Sequence, residues 1–317
     1  MRVAGCDSLQ KVTRGVRVVL LGATEIETEL LRVAMLYSQR HTVASKTVYV
    51  GEIEAERPGE MATVPVALGI TGCDKANAAH LLTCLLQSMD PLPVLVVQMG
   101  IAGALPSPGP GPGAGVGDIV IATQETYSDT GSSSPEGWLS AADVGLPVAN
   151  PEGTELSGVF PLPADLTLAA QEIIESIEWP EIVRTGARDD DGSCSSEVVP
   201  EVSWPAIASR RDGQPAVVLG PCVTSSQATG LLSQGQWLAA RFGALAESME
   251  GAAAAHMCAL YGVPFLEIRG ISNLVTDRCR DTWQIKRAAA VAGWATLAVV
   301  AALDRLPLRK DSAYVEI

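Results

Sequence analysis

The sequence predicts an α/β layered fold in a single domain, and three observations predict it. Apolar runs of strand length alternate with longer helix-period stretches between Arg17 and Leu303. The hydrophobic fraction is 47 % with only 4 % aromatic, a composition that suits an aliphatic packed core rather than a disordered chain. The 317 residues can bury a full core without disulfides or metals as staples, and no repeat is visible.

The first unit reads strand, turn, helix. Arg17 to Gly22 is a buried strand, and Thr24 to Leu36 places Ile26, Leu30, Leu31 and Ala34 on one helical face. Further strands are expected at Val64 to Ile70, Val94 to Gly100, Ile119 to Thr123, Ala216 to Gly220 and Phe265 to Ile271. Helices are expected at Lys75 to Ser88, Leu166 to Ile177, Thr229 to Phe242, Glu250 to Tyr261 and Thr282 to Leu303. Within the last, Ala288 to Leu303 is an uncharged run of 16 residues, too short for a membrane span of roughly 20, and reads as a buried terminal helix. Three stretches read as surface additions. Met1 to Val16 lacks periodicity and forms an N-terminal extension (1–16). The loop at 106–117 is nearly all Pro, Gly and Ala, and neither of these two is expected in the core. The third, 184–214, carries three consecutive aspartates and scattered prolines, the pattern of a long inserted loop.

Composition and motifs exclude several functions. Lys plus Arg number 22 against 36 Asp plus Glu, a net charge of −14, the wrong sign for a nucleic-acid groove. Seven cysteines, odd in number and without a Cys-x-x-Cys pair, indicate neither a disulfide framework nor a zinc ribbon and fit a reducing cytoplasm. Only Met1 and Arg2 precede Val3-Ala4-Gly5-Cys6, so a lipoprotein signal lacks its apolar region. There is no phosphate-cradling P-loop, and prolines between the glycines of 106–117 remove the backbone donors that a dinucleotide loop needs. Gly270-Ile271-Ser272-Asn273-Leu274 lacks the closing glycine of a nucleophile elbow. His41, His80 and His256 are too scattered for a zinc site, so no metal or cofactor is expected. His256 is read as a packing or surface residue.

Four segments remain, each at or just after a strand's carboxyl end, where open α/β sheets bind ligands. They are Gly22-Ala23-Thr24-Glu25-Ile26-Glu27, Gly69-Ile70-Thr71-Gly72-Cys73-Asp74-Lys75, Met99-Gly100-Ile101-Ala102-Gly103, and the pair Glu247-Ser248-Met249-Glu250-Gly251-Ala252 with Arg269-Gly270-Ile271-Ser272-Asn273. In this order they resemble the nucleoside phosphorylase and nucleosidase superfamily, in the branch that holds methylthioadenosine/S-adenosylhomocysteine nucleosidases and futalosine hydrolases, the latter more closely. The resemblance runs from about Arg17 to Leu303. It implies a three-layer α/β/α domain (17–317) around a twisted, partly closed mixed β-sheet, and cleavage of the N-glycosidic bond between ribose and a base.

That chemistry needs a positioned acceptor, contacts to a ribose that becomes oxocarbenium-like, and a donor to the departing base. The resemblance implies Glu27 as the base that activates water, with Arg269 orienting or neutralising it, while Glu25 and Glu29 face solvent. It implies Glu250 as acceptor of the ribose hydroxyls, favoured in its ionised form at a helix start, with Met249 and Ser248 beside it. Asn273 stands where adenine-releasing relatives carry aspartate. Its amide can donate to O6 or N7 of a 6-oxopurine, against which a carboxylate would set two acceptors. Ser272 is placed to orient that amide, Val223 and Thr224 to contact the base, and Thr71, Gly72, Ile101 and Ala102 to line the ribose and acceptor side. No aromatic residue stands at 223 or 224 to stack on the base.

A phosphorolytic relative would hold phosphate with cations from the glycine loops, but these loops offer Glu25, Glu27 and Asp74 with only Lys75. Water is therefore the expected acceptor. The resemblance thus implies release of hypoxanthine from futalosine, in menaquinone biosynthesis, by a homodimer whose partner is a small nucleoside. Another purine nucleoside, such as aminofutalosine, methylthioadenosine or inosine, is the alternative, by hydrolysis or phosphorolysis. Purine sensing without turnover is the non-enzymatic one.

Overall fold

The structure, a computed structural model, describes residues 6–56, 62–106, 113–180, 214–276 and 280–308. Strand β1 (Val18–Gly22) is buried on both faces. Val18 and Leu20 enter one apolar cluster and Val19 and Leu21 another, as the two-residue period of a strand dictates. It pairs in parallel with β4 (Ala62–Ile70) and with β5 (Leu95–Ala104), and beyond β4 the sheet continues antiparallel through β3 (Lys46–Ala55) and β2 (Leu36–Val43).

On the other side β5 pairs with β12 (Phe265–Leu274), followed by β6 (Ile119–Tyr127), β10 (Val217–Thr224) and β11 (Ala246–Ser248). β11 then returns to β5 at Gly103 and Ala104. Five strands thus close on themselves while β1, β4, β3 and β2 form an open wing, which makes the mixed sheet partly closed. β9 (Val159–Pro161) adds to β6, and β7 (Gly131–Ser134) with β8 (Gly137–Ser140) forms a separate hairpin.

Helices cover both faces. α2 (Glu25–Ala34), α4 (Ala164–Ser176) and α7 (Ile285–Ala301) belong with one cluster through Leu31, Ile173, Val291 and Val299. α3 (Lys75–Gln87) and α6 (Gly251–Tyr261) belong with the other through Leu81, Leu85, Ala254 and Cys258. α5 (Leu232–Phe242) closes a third, smaller cluster with Leu105 and Val223. The result is the three-layer α/β/α arrangement implied above. α7 is a buried helix as expected, and among the described residues no helix is long and apolar enough to cross a membrane.

Several expectations are corrected. Residues 6–13, expected to be aperiodic, form α1 (Cys6–Thr13); its Thr13 hydroxyl donates to the carbonyl of Ser88 at 3.0 Å, and Val16 lies in the core. Ala114, within the Pro-Gly loop, is also a core residue, while 107–112 and all but the last residue of 184–214 lie outside the described residues. Ile26 is 51 % exposed, because α2 turns Glu27, Thr28 and Leu31 inward instead. That helix ends at Ala34, and Leu36 opens β2. β5 runs past Gly100 to Ala104 because its last two residues pair with β11.

Candidate active site

The four segments lie at the carboxyl ends of β1, β4, β5, β11 and β12. Thr24 caps α2 with a reciprocal box: Glu27 N–H donates to Thr24 Oγ1, and Thr24 N–H returns to Glu27 Oε2 at 2.8 Å. Oε2 also accepts from Thr24 Oγ1 at 2.9 Å, and Oε1 accepts from Ile101 N–H at 2.9 Å. A carboxylate has about four lone-pair sites, and three are filled here by fixed donors. The carboxylate is 4 % exposed, and the one site left belongs to Oε1, on the side of Gly100 and Arg269. Gly100 is glycine because a Cβ there would collide with Glu27 Oε1 and lie 3.0 Å from Arg269 Nη1.

Arg269, 1 % exposed on β12, is the cation the acids share. Its Nε donates to Glu267 Oε1 at 2.7 Å, and Nη1 donates to Ile101 O at 3.3 Å and lies 3.5 Å from Glu250 Oε2. Burial alone would lower its pKa, but the charges of Glu267 and Glu250 more than offset this and the guanidinium stays protonated. The Ile101 peptide thus joins the two acids: its N–H holds Glu27, and its carbonyl holds the arginine beside Glu250.

Glu250 precedes α6 as its N-cap residue, yet its side chain makes no capping bond. The helix end is satisfied by Thr224, whose Oγ1 accepts from Ala252 N–H at 2.8 Å. Glu250 Oε1 instead accepts from Asp74 N–H at 3.1 Å, so the carboxylate spans from the β4–α3 turn to Arg269. Burial pushes its carboxyl up, Arg269 opposes the rise and Glu27 adds to it. Beside it, Met249 is half-buried, and Ser248 Oγ accepts from Gly251 N–H at 3.5 Å.

Asn273 follows a bulge at Ser272, where the register of β12 on β5 shifts. Its Oδ1 accepts from Ser272 Oγ at 2.7 Å and its Nδ2 donates weakly to Leu274 O at 3.3 Å, so Ser272 sets the amide's orientation. Gly103 leaves room for it, since a Cβ there would lie 3.3 Å from Nδ2. Ala102 lies beneath, its carbonyl accepting from Ser272 Oγ at 3.2 Å.

Three of the residues expected to line the site, Thr71, Val223 and Thr224, are fully buried. Thr71 Oγ1 donates to Gly72 O at 2.8 Å, and the loop is pinned by Gly72 N–H on Ala23 O at 2.9 Å. Thr224 is fully buried, and its hydroxyl donates to Glu125 Oε2 at 2.9 Å. Val223 is likewise fully buried and packs under α5. His256 stacks on Phe160 with ring centroids 5.1 Å apart, the first of the two roles, packing or surface, expected of it. No cluster of metal-ligating side chains occurs among the described residues.

Sequence reasoning missed Glu125, Glu267 and the Asp74 amide. Glu267 had a signal, being an acid two residues from Arg269 inside an otherwise apolar strand run. Glu125 had none, since it lies beyond the expected end of β6.

This arrangement belongs to a known class. Residues 17–306 match the family model of the phosphorylase superfamily, and the chain is a member of that superfamily. It is 31 % identical over 197 residues to a futalosine hydrolase of Streptomyces coelicolor, covering 62 % of this chain and 60 % of that protein, so the match spans less than two thirds of the relative's length. It is 23 % identical over 265 residues to a 5′-methylthioadenosine/S-adenosylhomocysteine nucleosidase of Staphylococcus carnosus, covering 83 % of this chain and 89 % of that one. Among solved structures, the nucleosidase of Neisseria meningitidis in complex with methylthio-immucillin-A superposes with a TM-score of 0.64 at 22 % identity, over 90 % of this chain and 98 % of the other. That of Colwellia psychrerythraea in complex with adenine gives 0.65 at 19 %, over 92 % and 96 %. These likenesses establish the fold.

Proposed function

We propose that the chain is a purine nucleoside N-glycosyl hydrolase that cleaves futalosine with water to hypoxanthine and dehypoxanthine futalosine. The observation that carries the reading is the pair of buried carboxylates, Glu27 bound to the Ile101 N–H and Glu250 beside Arg269, whose Nη1 donates to the Ile101 carbonyl. Glu27 has one lone-pair site left for a water proton. Glu250 offers negative charge where a ribose becomes cationic, in surroundings dry enough for that charge to count. Asn273, its Oδ1 committed to Ser272, keeps Nδ2 as the stronger donor for a 6-oxopurine.

Water rather than phosphate is favoured by the state of the cations. Lys75 Nζ is paired with Asp129 at 2.5 Å, and the charge of Arg269 is already matched by Glu267 and Glu250, although its Nη2 has no partner, so neither brings an unbalanced cation to a dianion. Under the same reading 17–317 is one nucleosidase domain after a short extension, the enzyme is a homodimer, and it works in the cytoplasm, in keeping with four free cysteines among the described residues.

The test is chromatography of products from futalosine, aminofutalosine, methylthioadenosine and inosine, each with and without phosphate. Hypoxanthine from futalosine alone, at a rate indifferent to phosphate, is the expected outcome. Adenine release, or a sugar phosphate, overturns the substrate assignment while leaving the fold.

A further inference from the structure

Behind Arg269, away from the ribose side, lie two acids that the proposed reaction does not use. Glu125 on β6 and Glu267 on β12 are both fully buried, and the Glu267 charge adds to burial in pushing the Glu125 carboxyl up. Glu125 Oε2 has two donors, Thr224 Oγ1 at 2.9 Å and Thr126 N–H at 3.1 Å, and Glu267 Oε1 has Arg269 Nε at 2.7 Å. The other two oxygens, Glu125 Oε1 and Glu267 Oε2, have no donor from any neighbour. Both converge on the Cα of Gly251, where only glycine leaves them space. As two carboxylates they would set bare acceptors against each other in a dry site, but a single proton between them satisfies both.

We propose that Glu125 and Glu267 share one proton and form a positioning pair that fixes Arg269 and, through it, Glu250. The inference rests on the role given to Glu250 above. With one proton the pair carries one negative charge, which the Nε contact balances, and Nη1 stays on Ile101 O and beside Glu250. With two charges the pair would draw the guanidinium away from Glu250. With none, the arginine would turn wholly to Glu250 and cancel the charge that a ribose cation needs. The ionisable groups around the pair are Arg269 on β12, Cys222 on β10, Tyr127 on β6 and Glu250 at the start of α6. Burial, with the nearby carboxylates, holds the Cys222 thiol and the Tyr127 phenol protonated, so neither competes for the role.

Infrared difference spectroscopy of the full chain tests the protonation directly. Wild type at neutral pH should show the carbonyl band of a protonated carboxyl, shifted in heavy water and absent from Glu125→Gln. Kinetics test the positioning. Glu125→Gln donates to Glu267 as the protonated acid does, and should keep kcat within about threefold and the same acid limb of its pH profile. Glu125→Ala should lower kcat by about tenfold or more with KM nearly unchanged. Absence of the band in wild type, or a Glu125→Gln variant as slow as Glu125→Ala, overturns the proposal. The spectrum needs no substrate, so it stands or falls apart from the identity of the nucleoside, and it remains readable on wild type if a variant fails to fold.

Discussion

Glu27 carries two duties that pull on one side chain. Its N3 place in the capping box and its bond to Ile101 N–H lock the carboxylate, which removes the freedom that an exposed acid would have and aims the remaining lone pair. Glutamine cannot copy this, because its NH2 must face either Thr24 or the Ile101 N–H. Glu27→Gln should therefore cost about 10²-fold or more in kcat, read by steady-state turnover on a variant whose circular dichroism matches wild type. Turnover at the wild-type rate would remove Glu27 from water activation. At Asn273 the expected effect is on selectivity. Asn273→Asp keeps the acceptor position next to Ser272 but replaces the amide donor, so the ratio of kcat/KM for 6-oxo over 6-amino substrates should fall by about tenfold, since an unpaired buried polar group costs about 1–3 kcal/mol. Competition between the two nucleosides in one vessel measures that ratio.

At the scale of elements, the junction of β11 and α6 does the most for the site. Gly251 lets the helix start lie directly on the acid pair, and a Cβ there would meet Glu125 Oε1 and both oxygens of Glu267. Gly251→Ala should destabilise the fold by about 1–3 kcal/mol, as overpacking does, read as a lowered urea midpoint with unchanged slope. An unchanged midpoint would mean that the acids can move aside. Elements with strong periods were legible before the structure: β1, α3, β12 and α7 fall within a few residues of their expected bounds. The hairpin of β2 and β3 was not. Ala44 and Ser45 both have positive φ at its turn, where glycine or asparagine is the usual signal, and most of β2 faces solvent without an apolar alternation. α1 was missed for a related reason, since eight residues with few apolar positions hold a helix only by docking.

For the whole molecule, the ordered motifs brought Glu27, Glu250, Arg269 and Asn273 together: the apolar runs made β1 and β12 plain, which place Glu27, Arg269 and Asn273, while Glu250 was found by its motif alone, since the short β11 before it was not expected. The acid pair escaped notice because it is a tertiary fact: Glu125 and Glu267 are 142 positions apart and meet only because β6 and β12 are neighbours. That fact should appear in the stability of the entire chain. Burial first, and then the charge of Glu267, raises the Glu125 carboxyl well above its ordinary 4.5, and burial likewise raises Glu250. A raised carboxyl binds a proton in the folded chain that the unfolded chain has lost, so its stabilising effect is complete below the unfolded pKa and is lost as pH rises toward the folded one. Across that window each such group contributes a fall of about 1.4 kcal/mol per pH unit. His256, lowered by burial, acts in the opposite direction below 6.5. Urea midpoints of wild type and Glu125→Gln, taken at several pH values between about 5 and 8 at one ionic strength, isolate the term. The wild-type curve should fall more steeply with pH than the variant's by close to one proton, and parallel curves would mean that the pair holds no proton in the folded chain.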